Sequence, residues 1–270
     1  MSIYTTPTPP PNHIAHIASN TPNRPIPHKP SYGIDSPLGL ALSNVLSPLY
    51  FYASLKGKFD LWDDILEGVV DQTVGADEAA DRNGDAALLS QPTLDLGCGR
   101  GLVLLKVAER KKALALAEAR AQAPSQSLSA EDEKTVQPAY GVDLFITGDQ
   151  TGNAPEATYD NAAALDVRDY VVLHTADFTE LPFRNDSFAL VTASLSIHNV
   201  GKQARNKAIK EAARVLRPGG YLVILDLWGY PGQYKAVLED LGWTDVNCTF
   251  GGVRVMFGMW ACQVLKARKP

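Results

Sequence analysis

Apolar residues recur at helical spacing through residues 57–70, GKFDLWDDILEGVV, at Phe59, Leu61/Trp62, Ile65/Leu66 and Val69/Val70. This spacing predicts an amphipathic helix with one face against a core. From Thr93 the pattern becomes short apolar runs alternating with longer periodic ones. TLDLG, AYGVDL, DYVVLHTAD, FALVTASLS and GYLVILDLW read as strands. GLVLLKVAERKKALALAEARA, PEATYDNAAALD, KQARNKAIKEAARVL and QYKAVLEDLG read as helices between them. WTDVNCTF and FGMWACQVLKA close the chain as two strands whose connection has no room for a helix, so they run antiparallel to each other. The expectation is an α/β domain: a seven-stranded, mostly parallel sheet with an antiparallel last strand and helices on both faces.

Upstream of the domain the pattern fades. Residues 1–30 are rich in Pro, Thr, Asn and His, with too little apolar surface to repay ordering, and read as a disordered leader. Residues 31–90 then form an N-terminal helical lid or linker, and 91–270 the domain proper. From Ser36 to Leu55 no residue is charged, a length near the roughly 20 residues that span a bilayer. Pro48 and scattered Ser and Asn argue for an apolar helix packed on the domain, or for peripheral membrane contact through 36–55.

Charge and cysteines narrow the partners. The net charge is −5, and KARKP is the one basic cluster, so nucleic acid is not expected as a partner. Cys98, Cys248 and Cys262 are odd in number and form no CxxC. Neither a disulfide framework nor a metal site is expected, and a reducing, cytoplasmic setting follows.

The chemistry concentrates in LDLGCGRGL, residues 94–102. The loop follows a strand and opens a helix, so its glycines let backbone approach a ligand and aim helix N-terminal amides at it. Gly97, Gly99 and Gly101 are spaced G-x-G-x-G, with Leu102 where a dinucleotide fingerprint has its third glycine. Asp95 stands two residues ahead of the loop, where its carboxylate repels a pyrophosphate and attracts an ammonium group. Cys98 between the glycines is a small filler within reach of the same ligand.

This loop resembles motif I of the class I S-adenosylmethionine-dependent methyltransferases. Further matches follow in order over about residues 90–268. GVDL ends the second strand at Asp143, followed by Leu144; TADFTELPF sets Asp177 and Phe178 after the third; FALVTASLSIHNV resembles the fourth strand and its exit; and EAARVLRPGGYLVILDL resembles the next helix, turn and strand. YGIDSP and DLFITGDQTGNAPEATYDNA are also similar to segments of a group of bacterial and fungal methyltransferase-like proteins. The resemblance implies a Rossmann-like fold, S-adenosyl-L-methionine as cofactor and methyl transfer to a small-molecule acceptor. It further implies Asp95 and the glycines at the amino-acid end, Asp143 at the ribose, and Asp177 with Phe178 about the adenine. One departure is the 48 positions from Asp95 to Asp143, about twice the usual number, which a polar insert near 119–138 explains.

SLSIHNV, residues 194–200, then lies at the carboxyl rim of the sheet. Ser194 and Leu195 are placed beside the cofactor. His198 is a candidate general base, or a residue that braces the rim or orients substrate. Tyr32 and Trp228 are candidates for the acceptor pocket, and Tyr32–Asp35 is the part of the lid expected to touch ligand. Asn153, with Pro155 and Glu156 following, reads as a helix cap, and Gln150 is a minor ligand candidate. Two other functions fit less of the chain: a cofactor-binding module without catalysis, and a nucleotide-cofactor dehydrogenase.

Overall fold

The computed structural model describes residues 14–16, 25–33, 47–74, 88–122, 136–146 and 150–270. The strands are β1 Ile14–His16, β2 Thr93–Leu96, β3 Ala139–Asp143, β4 Val171–Thr175, β5 Phe188–Ser194, β6 Leu216–Leu227, β7 Val246–Phe250 and β8 Cys262–Arg268. The helices are α1 Ser47–Tyr52, α2 Lys58–Val74, α3 Leu102–Gln122, α4 Pro155–Ala164, α5 Lys202–Val215 and α6 Tyr230–Asp240.

One sheet holds all eight strands in the order β1-β4-β3-β2-β5-β6-β8-β7. Strands β2 to β6 pair in parallel, while β8 runs antiparallel to both β6 and β7. The chain leaves β2 toward β3 and β4, then returns to lay β5 on its other side. This reversal opens a crevice beyond the carboxyl ends of β2 and β5, the place where open α/β sheets bind ligands.

Two apolar layers cover the sheet, and β6 shows how the sequence divides between them. Leu222 and Ile224 pack with α5 and α6, whereas Val223 and Leu225 face the layer under α2, α3 and α4. This is the period-two alternation of a strand buried on both faces. On β2, Leu94 and Leu96 take the α5/α6 side, which turns Asp95 toward the α2/α3 side.

The periodic stretch at 57–70 is indeed helical, and it begins earlier than its pattern suggests. A π-helical turn over Ala53–Gly57 joins α1 to α2, with the Lys58 N–H donating to Ala53 O. Leu61, Trp62, Ile65 and Leu66 are each at most 6% exposed, and burying side chains of this size contributes roughly 1.5–3 kcal/mol apiece. Trp62 also donates from Nε1 to Ser194 Oγ at 2.9 Å, fastening α2 to the end of β5. Gly57 lies so close to residue 254 that a Cβ would come within 1.7 Å of Arg254 O.

Three residues inside the expected disordered leader are ordered: Ile14–His16 pair antiparallel with β4, Ile14 opposite Thr175. A sheet edge has unpaired backbone donors and acceptors, and that demand is invisible to an argument from local composition. Of the uncharged run 36–55, residues 36–46 lie outside the described residues. No helix among the described residues is long and apolar enough to cross a membrane.

Candidate functional site

The crevice is a cavity of about 390 Å³, within the size range of small-molecule sites. Its floor is the glycine loop. Gly97, Gly99 and Gly101 all have positive φ, at 65°, 48° and 90°, a region that costs other residues strain. A Cβ on Gly97 would meet Ser196 at 2.4 Å, and one on Gly99 would meet Gln150 Oε1 at 2.5 Å. Gly101 stands apart from the cavity wall. A Cβ there would meet Leu105 Cγ at 2.9 Å, so its role is the packing of α3 on the loop.

Asp95 reaches the wall from β2 while remaining 4% exposed. It pairs in register with Thr192 on β5, whose hydroxyl donates to Asp95 Oδ1 at 2.8 Å. The Leu104 N–H, in the first turn of α3, donates to Oδ2 at 3.2 Å. Burial pushes the carboxyl up to about 7, against these two bonds, and the nearby Asp143 adds to the rise. Cys98 is also on the wall, and burial raises its thiol well above the ordinary value, which leaves it a packing residue rather than a nucleophile.

Asp143, at the end of β3, ties the glycine loop to the next loop. Its Oδ2 accepts the Gly99 N–H at 2.8 Å, and its Oδ1 accepts from Phe145 N at 2.5 Å and from Asn153 Nδ2 at 3.1 Å. Leu144, half-exposed, follows it at the mouth. On the other side Asp177 and Phe178 line the cavity, and Asp177 Oδ1 also accepts the Thr179 N–H at 2.7 Å, closing the local turn. Ser194 and Leu195 complete the wall at the end of β5, with Leu195 at a φ of 54°.

Besides Gly101, three further expected residues stand outside this wall. Tyr32 packs edge-on against Phe59 at 5.1 Å and accepts at its carbonyl from Gln150 Nε2 at 2.9 Å. Burial, then Glu109, raises its phenol. Ile34 and Asp35, the rest of that motif, lie outside the described residues. Trp228 is 59% exposed and packs on Phe250. His198 stands just behind Asn199 and Val200, which do line the cavity. Its Nδ1 is 2.5 Å from Asp226 Oδ1. Asp226 is fully buried and also accepts from Tyr234 Oη at 2.9 Å and from the His198 N–H at 3.2 Å.

The structure also corrects one reading and adds residues. Asn153 does not cap a helix: α4 begins at Pro155 after Ala154, which makes no side-chain cap, and the Asn153 amide turns to Asp143 instead. Gln150 holds the Arg100 N–H with Oε1 at 3.0 Å, and so joins the glycine loop to the segment around Tyr32. Lys58 is the single cation among the described residues of the wall, against Asp95, Asp143 and Asp177. It sits one turn before Trp62 on the buried stripe of α2, where the hydrophobic pattern masks it. Asp226 gave no local signal beyond its position near the end of a strand.

Comparison with known proteins agrees with this geometry. The model of the methyltransferase domain family matches residues 94–224, from β2 into β6. Over 95 residues the chain is 39% identical to the 27-O-demethylrifamycin SV methyltransferase of Amycolatopsis mediterranei, covering 35% of this chain and 34% of that protein. Over 80 residues it is 41% identical to the ubiquinone/menaquinone biosynthesis C-methyltransferase of Roseobacter denitrificans, covering 30% of each. The matched segments thus span about a third of the length of these relatives. Among solved structures, the magnesium protoporphyrin IX methyltransferase of Synechocystis PCC 6803 superposes with a TM-score of 0.52 at 13% identity, covering 79% of this chain and 84% of that one. The similarity runs through the strands and loops that build the cavity, and residues 94–224 carry a methyltransferase domain.

Proposed function

We propose that this protein transfers a methyl group from S-adenosyl-L-methionine to a small-molecule acceptor, with His198 as general base. When bound, the cofactor supplies an activated methyl group on a sulfonium. The wall fits such a ligand. Three carboxylates face a cavity whose expected guest carries an ammonium and a sulfonium, and a buried amide oxygen of Asn153 lacks a hydrogen-bond partner there. In this reading Asp95 receives the ammonium, Asp143 the ribose, and Phe178 with Asp177 flank the adenine. Cys98, Cys248 and Cys262 are not joined in disulfides, which suits a reducing compartment such as the cytoplasm.

The observation that carries the assignment of the base is the contact between His198 and Asp226. A buried carboxylate that accepts from Nδ1–H fixes the tautomer, so Nε2 presents its lone pair. That nitrogen can take a proton from an acceptor hydroxyl or amine, while the wall holds the acceptor in line and keeps water out. Positioning of this kind contributes up to about 7–11 kcal/mol in favourable cases, and a general base adds roughly two to four powers of ten.

The test is incubation with methyl-labelled cofactor and a metabolite extract, followed by mass spectrometry. A labelled product with the native chain, reduced at least about a hundredfold in rate by His198→Ala at unchanged S-adenosylhomocysteine affinity, supports the reading. Label on no compound would overturn the transfer. Rates within severalfold of each other would remove the base.

A further inference from the structure

Residues 31–33 lie against the glycine loop without reaching the cavity: none of them lines it, nor does Arg100 or Asn161. Ser31, Arg100 and Asn161 border a separate hollow beside α4. Asn161, 2% exposed, pairs with Ser31 as a neighbouring strand would. Its Oδ1 accepts the Ser31 N–H at 2.7 Å, and its Nδ2 donates to Ser31 O and to Arg100 O, each at 2.9 Å. Gln150 makes the complementary bridge. Its Oε1 accepts the Arg100 N–H at 3.0 Å, and its Nε2 donates to Tyr32 O at 2.9 Å. Two amide side chains thus hold both backbone groups of Arg100, and each also holds the backbone of the N-terminal segment. Gly33, at a φ of 70°, passes so close that a Cβ would meet Thr151 O at 3.0 Å.

The glycine loop needs support from outside itself. Glycine loses more conformational freedom on ordering than any other residue, so a loop with three of them does not hold its own shape. Thr158, one turn before Asn161 on the same face of α4, donates from Oγ1 to Gly99 O at 2.7 Å. Asp143 accepts the Gly99 N–H. Those two holds are internal to the domain, whereas the bridges at Arg100 end on residues 31 and 32. We infer that Asn161 and Gln150 are positioning residues that clasp this N-terminal strap to the glycine loop, so that strap docking and cofactor binding strengthen each other. A ligand that needs the loop ordered binds better once the strap has ordered it, and by linkage the ligand tightens the strap in return. The inference rests on the cofactor reading above and adds to it a coupling to a segment outside the cavity.

The test joins two measurements. S-adenosylhomocysteine affinity is measured by calorimetry on the native protein, Asn161→Ala and Ser31→Pro. The proline variant removes, at an exposed position, the N–H that Asn161 accepts, and it decides alone if the alanine variant does not fold. Ser31→Ala keeps that N–H and serves as control. Asn161→Ala and Ser31→Pro are expected to bind at least about fivefold more weakly, and Ser31→Ala as the native protein does. In the native protein, saturating S-adenosylhomocysteine is expected to slow hydrogen exchange of the Ser31 amide by a similar factor. A merely structural contact would not show this reciprocity. Unchanged affinity in the folded variants, even with a lowered thermal midpoint, would overturn the inference and leave the cofactor reading intact. So would Ser31 exchange that the bound ligand does not slow. Failure of the native protein to bind S-adenosylhomocysteine at all overturns both.

Discussion

Asp95 sits between Leu94 and Leu96 on a strand buried along its whole length, and its carboxyl is lifted to about 7. An ordinary aspartate in an unfolded chain titrates near 3.9. Between about pH 4 and 7 the folded protein therefore retains a proton that the unfolded chain has released, and stability contributed at this site falls as pH rises through that window. Asp95→Asn abolishes the titration. Thermal midpoints of the variant relative to the native protein are expected to climb from pH 4.5 to about 7 and then level off. A gap that stays constant with pH would contradict the shift. A strand position that costs stability when ionised is consistent with a residue kept for binding rather than folding. At this scale, legibility followed locality. The three glycines could be read from the chain because their conformation excludes other residues. Asn153 was misread because N-A-P-E imitates a helix start, while its partner is ten positions back at the end of β3. The bond from His198 to Asp226 spans 28 positions and has no signature short of the fold.

The joint between α1, α2 and the turn at 253–255 decides how the N-terminal helices meet the domain. Gly57 makes that joint possible, since a methyl there would collide with Arg254 O. Gly57→Ala is expected to destabilise the protein by about 1–3 kcal/mol in urea unfolding, as overpacking against backbone does. Gly232 provides the contrast: it lies in α6 with nothing within 4 Å of its would-be Cβ, so Gly232→Ala is expected to be neutral or to stabilise by roughly 0.5–1 kcal/mol. Equal effects at the two positions would refute the close-approach account. Elements of this length were legible because α2 and the strands repeat their periods several times. The π-helical turn and the three-residue β1 were not, being too short to repeat a pattern more than about once.

The whole molecule is organised around a sheet whose order differs from the order of the chain. Parallel pairing could be read from the alternation of strands and helices, and the site from the place where that alternation reverses direction. What alternation leaves open is which neighbour each strand takes. β8 settles between β6 and β7 rather than at an edge. Deleting residues 262–270 would strip β6 and β7 of the strand between them, and such a chain is expected to be insoluble or to lose native circular dichroism. A folded, monomeric product would be evidence against that placement.

The position of β8 also bears on how the protein is made. A ribosome delivers the other seven strands before it delivers β8, and domains generally fold as synthesis proceeds from the N-terminus. Until β8 emerges, β6 has an open edge and β7 has nothing to pair with, two sticky seams on a nascent chain. Assistance from chaperones would matter most in the interval between the emergence of β7 and that of β8, and anything that hindered β8 from sliding home would prolong it.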